Sequence, residues 1–177
     1  MFHRFASRTG LFVTALFAAA VFASSALAQT SDPIEGQDYV LIDPPVATQS
    51  GDKIEVVEVF GYSCSHCANF APIISKWKTT LADDVKLEYV PAVFGGIWEV
   101  YGRVCYTGEM MGVTAKTHDA LFEALHVQRR PVNKVEDLAD FYAEHGVKKE
   151  EFLSTMESFP ITGKIEEARQ RVTGYGV

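Results

Sequence analysis

At 177 residues the chain has the length of one domain, or of one domain carrying a sizeable insertion, and it can bury a proper core. Its apolar share of 47% is ordinary for a globular protein. A formal charge of -7 argues against nucleic acid or anionic lipid as partners, because both require a basic surface.

Residues 1–28 read as a secretory signal peptide. Arg4 and Arg8 precede an uncharged apolar run from Leu11 to Phe22, and Ala26-Leu27-Ala28 offers a small-x-small cleavage site after Ala28. About twelve apolar residues are too few for a membrane span, which needs roughly 20. Cleavage would remove two arginines and no acid, taking the formal charge from -7 to -9. Export would also place the three cysteines, at 64, 67 and 105, where disulfides persist. Three is too few for a disulfide-stapled scaffold.

Ser31 to Ser50 reads as a tail with one short extended candidate, Tyr39 to Ile42. Lys53 to Phe60 is dense in β-branched residues after the turn Ser50-Gly51-Asp52, so it is expected to be a buried strand with Glu58 as an anomalous acid inside it. Gly61-Tyr62-Ser63 breaks that strand, and Ser63 is the expected N-cap of a helix from about Cys64 to Leu81, kinked by Pro72. Val85 to Phe94 is a second strand, parallel to the first because a crossover helix separates them.

After Gly95-Gly96 the periodicity becomes helical. Trp98 to Met111, Lys116 to His126, Val135 to His145 and Lys148 to Glu157 are the expected helices, with a capping box at Asn133-x-x-Glu136 and a C-cap at Gly146. Pro160 marks a break before a last helix, Ile161 to about Val172, that could return to the sheet. The fold class is therefore α/β, divided into 29–96, a helical insertion at 97–160, and 161–177. Two or three strands with one face uncovered suggest that the fold continues beyond this point.

The chemistry centres on Cys64-Ser65-His66-Cys67. A thiolate attacks and leaves in disulfide exchange, and a first-turn Cys64 would be stabilised as an anion by free helix N-H groups, by the helix dipole and by a protonated His66. Stabilising that thiolate favours the reduced protein and makes the disulfide an oxidant. Cys67, deeper in the helix, is the first leaving group, and Glu58 on the preceding strand is a candidate proton acceptor and donor for it. A zinc or copper module using Cys64, Cys67, His66 or Cys105 is a competing reading, although no second ligand pair stands at metal spacing. A thiol reductase or isomerase is the other. Cys105 reads as a small core residue, and His118, His126 and His145 fit helix ends or surfaces.

Glu35-Gly36-x-Asp38-Tyr39, Ile54 to Phe60, Cys64-Ser65-His66-Cys67 with Pro72 beyond it, and the helical block after Phe94-Gly95-Gly96 together resemble the periplasmic DsbA family. The resemblance implies a thioredoxin-like fold with an inserted helical domain. It assigns Cys64 as the exposed nucleophile, Cys67 as the resolving cysteine, Ser65 and His66 as the dipeptide tuning redox poise, and Glu58 as the buried acid. It also implies reduced, unfolded exported proteins as substrates, reoxidation by a membrane DsbB-like quinone reductase, no cofactor and a periplasmic location. The chain departs from the family in having Ser65 where proline is common. It also lacks the family's cis-proline loop, C-terminal hairpin and last helix, so on this resemblance it reads as truncated.

Overall fold

The computed structural model describes residues 32–132 and 134–177. The leader assigned to 1–28 and the Asn133 half of the expected capping box lie outside them. Two units are present, divided between Leu41 and Ile42. In the first, 32–41 forms a tight turn in which Asp38 accepts from the Ile34 N-H (2.9 Å) and Glu35 bridges Tyr39. The strand expected at Tyr39 to Ile42 is therefore a single bridge at Tyr39, because the chain turns back on itself through Gly36.

In the second unit, β1 (Ile54–Phe60) pairs in parallel with β2 (Val85–Pro91), running in register from Ile54 opposite Val85 to Phe60 opposite Pro91. The helix α1 (Ser65–Lys78) makes the crossover. Beyond β2 come α2 (Ile97–Met110), α3 (Thr114–Phe122), a π turn (Glu123–Val127), α4 (Val135–Glu144), α5 (Lys149–Met156) and α6 (Phe159–Gly174). The β-α-β-then-helices order matches the sequence expectation, with several boundary corrections. β2 stops at Pro91 rather than Phe94, since its partner β1 ends at Phe60, whose carbonyl takes the last bond from the Ala92 N-H at 2.7 Å. α1 stops at Lys78, where Thr79 and Thr80 turn back their hydroxyls onto the Lys76 and Trp77 carbonyls. The expected helix to His126 is interrupted by the π turn. Pro160 does not break the chain but sits in the first turn of α6, where its missing N-H has no helical partner to lose. Gly146, at φ +92°, closes α4 as expected, in a conformation that a side chain disfavours.

Strand alternation sends successive β1 side chains to opposite faces. Val57 and Val59 pack on one face against Ile161, Ile165, Ala168 and Val172 of α6, so the last helix does return to the sheet. Phe60 points to the other face, into a core built with Tyr62, Ala71, Tyr101, Leu121, Phe122, Leu138 and Phe141. Burial of each large apolar side chain there contributes about 1.5–3 kcal/mol. Glu58 shares the parity of Phe60, which aims it beneath α1. On the α6 face Arg171 reaches two strand carboxylates, Glu55 at 2.9 Å and Glu88 at 3.2 Å, tying the helix to both strands.

Candidate active site

The loop between β1 and α1 is four residues long, Gly61 to Cys64. Its first, Gly61, lies against the indole of Trp98, where an added Cβ would fall 2.6 Å from Cε3. Only glycine allows that approach. Tyr62 is buried, and the N-H of Cys64 closes the turn onto the Gly61 carbonyl at 3.0 Å.

Cys64, not Ser63, is the N-cap of α1. Its backbone is extended (φ -86°, ψ 117°) and its Sγ accepts the backbone N-H of Cys67 at 3.4 Å. The sulfur thus takes the place usually filled by a Ser or Asp oxygen, and Ser63 lies one residue before the cap. All three cysteines are free thiols. The Cys67 thiol and the N-H groups of Cys67 and His66 donate to Cys64 and hold its thiol below the usual 9.0, against the opposing effect of partial burial. No acidic residue stands in the first turn to counter the dipole. Ser65 and His66 are exposed on that turn, and His66 supports the sulfur through its backbone N-H.

Cys67 is half-buried against the main core. Burial, and then the hydrogen bond its thiol gives to Cys64, push it up to about 11. The two cysteines are therefore driven in opposite directions, one toward thiolate and one toward thiol. Glu58 Oε2 is enclosed without a hydrogen-bond partner. Desolvation first, and Asp119 second, raise its carboxyl to about 7. Glu58, His66 and Cys67 line a common groove of about 720 Å³, with Phe70, Ile73 and Trp77 of α1 exposed along it.

The structure thus gathers Glu58, Cys64, Ser65, His66 and Cys67 around one helix end. Cys105 is buried in α2 and raised to about 12 by desolvation, in keeping with a core residue. Among the described residues no three His, Cys, Asp or Glu side chains are grouped to hold a metal ion. The sequence reading of the histidines needs correction. His118 is buried, stacked on Tyr89 with centroids 4.2 Å apart and bonded through Nδ1 to the Tyr62 hydroxyl at 2.9 Å. His126 Nε2 donates to the Tyr62 carbonyl at 2.7 Å. Neither had a sequence signal, since both partners lie more than 50 positions away.

No protein-family model matches the chain. Against curated proteins it is 45% identical over 150 residues to the thiol:disulfide interchange protein DsbA of Pseudomonas aeruginosa, spanning 85% of this chain and 71% of that protein. The same-named protein of Pseudomonas syringae is 40% identical over 151 residues, with the same coverage. The crystal structure of Pseudomonas aeruginosa DsbA superposes with a TM-score of 0.76 at 44% identity, covering 82% of this chain and 76% of that one. A βαβ unit with Cys-x-x-Cys at its helix N-terminus, in a chain that superposes on DsbA, defines the class of thioredoxin-like thiol:disulfide oxidoreductases. Within that class the chain belongs to the DsbA family.

Proposed function

We propose that this chain works as a disulfide donor to exported proteins, with Cys64 as the attacked sulfur. The single observation carrying the direction is the opposed bias of the two thiols: Cys64 is held toward its thiolate by three donors, while Cys67 is held protonated. Whatever stabilises the Cys64 thiolate stabilises the reduced protein, so the disulfide form is the oxidant.

A thiolate of an unfolded substrate attacks Cys64 Sγ. The Cys64–Cys67 bond breaks, a mixed disulfide forms at Cys64, and Cys67 leaves as a thiolate that takes a proton. Glu58, raised to about 7 and enclosed in the same groove, is the acid that supplies that proton and later accepts it back. The substrate's second thiolate then attacks its own sulfur in the mixed disulfide and expels the Cys64 thiolate. Two electrons have passed from substrate to enzyme. Ser65 and His66 set the poise of this pair from the exposed first turn.

Residues 1–28 direct export and are removed after Ala28, which places the protein in the periplasm. There a DsbB-like membrane quinone reductase would restore the disulfide. Residues 29–96 and 161–177 form the thioredoxin-like part and 97–160 the helical insertion. The test is whether the purified, preoxidised chain accelerates disulfide formation in a reduced unfolded substrate, with Cys64→Ser as the inactive control. Full activity of Cys64→Ser would sink the mechanism, and a strongly reducing potential would make the protein a reductase instead. An exported product whose N-terminus is not Gln29 would refute the cleavage site.

A further inference from the structure

The helical insertion holds the active-site loop at two points on one residue. Tyr62, two positions before Cys64, is buried, and its hydroxyl pairs with His118 of α3 while its carbonyl accepts from His126 of the π turn. The π turn is what brings His126 there. It adds a residue to the helical repeat between α3 and the segment after it, closing with the Gln128 N-H on the Glu123 carbonyl at 3.0 Å. Such wide turns are poor helix geometry and recur where a side chain must be re-aimed at a functional site. An unbroken α-helix would rotate His126 away from its present direction.

We infer that His126 is a positioning residue for the redox pair: by fixing the Tyr62 carbonyl it holds Cys64 at the N-cap, where the amides of His66 and Cys67 reach its sulfur. This rests on the reading of Cys64 and Cys67 as the redox couple. The amide donors stabilise charge on Cys64, and that charge exists only in the reduced form. Releasing the loop therefore weakens the dithiol state more than the disulfide, and the protein becomes a poorer oxidant. His118 is pushed down to about 4 by burial and is neutral under working conditions, so its pairing with Tyr62 is a fixed support.

The measurement is the equilibrium of the Cys64–Cys67 pair with reduced and oxidised glutathione, read by alkylation and mass, in the purified chain. His126→Phe keeps a flat ring and loses the donor. The expected displacement is the fold-change one neutral hydrogen bond carries, about fivefold toward the disulfide. At 29.6 mV per decade for a two-electron couple, that is about 20 mV less oxidising. His126→Gln, which can still donate at similar reach, should stay within twofold of wild type. His145 makes an equivalent bond through Nδ1 to the Phe141 carbonyl (2.8 Å) within its own helical segment, so His145→Phe controls for general destabilisation. It should lower the thermal midpoint without moving the equilibrium. If His126→Phe does not fold, His126→Asn, whose donor falls short of the Tyr62 carbonyl, must show the same displacement.

A wild-type potential left unchanged by His126→Phe, or by His126→Asn where the first does not fold, overturns the inference, as does an equal shift in His126→Gln or His145→Phe. A wild-type chain with no two-electron couple at Cys64 and Cys67 overturns the reading of the pair itself, which is a separate result.

Discussion

Replacing Glu58 by Gln should remove a pH dependence that the wild-type fold carries. The carboxyl rises from its ordinary 4.5 to about 7, chiefly because burial strips water from it and secondarily because Asp119 repels its charge. Between those values the folded chain binds more protons than the unfolded one, so stability declines as pH rises through the window. At 1.36 kcal/mol for each pH unit, the full effect has an upper bound of about 3.4 kcal/mol. The side chain is only half-buried, and solvent screening reduces this to about 1–2 kcal/mol. Glutamine preserves the shape and cannot ionise. Chemical denaturation of both reduced proteins from pH 4.5 to 8 should give similar stability at the acid end and a variant about 1–2 kcal/mol more stable at pH 8. Cys67 and Tyr89, whose shifts Glu58 contributes to, titrate above this window, so the difference isolates Glu58. The same variant should exchange disulfides at least tenfold more slowly if Glu58 moves the Cys67 proton. Parallel stability curves would refute the burial argument, and an unchanged exchange rate would refute the proton-transfer role.

Cys64 should alkylate with a half-rate pH below 9.0, whereas Cys105, pushed up to about 12, should react only after unfolding; equal labelling of the two in the native chain would contradict the burial pattern. Arg171→Met leaves the nearly buried Glu55 carboxylate without a cation and Glu88 with Lys86 alone, and a loss of about 3 kcal/mol in denaturant unfolding is expected. A loss below 1 kcal/mol would show that α6 is held by its apolar face alone. Gly61→Ala drives a methyl into the Trp98 ring and should cost about 1–3 kcal/mol, with a change in tryptophan emission as the indole shifts. Native-like emission and stability would mean that the loop relaxes at no cost.

Much of this protein is legible along the chain. The β-branched run at Ile54 to Phe60, the helical spacing after Gly96 and the Cys64-Ser65-His66-Cys67 motif are local signals, because backbone geometry repeats every two residues in strands and every 3.6 in helices. Glu58 stood out as an acid in an apolar strand, and its enclosed oxygen without a partner bears out that oddity. The family resemblance was carried by the same local segments, and the relatives agree with it. Cap positions were harder to read. Ser63 and Cys64 are both able to cap a helix, and only the turn closed by the Cys64 N-H on Gly61 decides that the sulfur does so.

What the sequence by itself determined is the reaction class, since two cysteines at helix-turn spacing behind a strand carry that chemistry in four adjacent residues. Tertiary structure decided what surrounds the pair: the burial that raises Cys67 and Glu58, and the contacts that hold the loop before Cys64. The Glu58 shift needs the groove under α1, Trp98 reaches Gly61 from across the fold, and Tyr62 meets His118 and His126 over separations of 56 and 64 residues. Desolvation and directional hydrogen bonds act over a few ångströms of space, and distance along the chain carries no record of them.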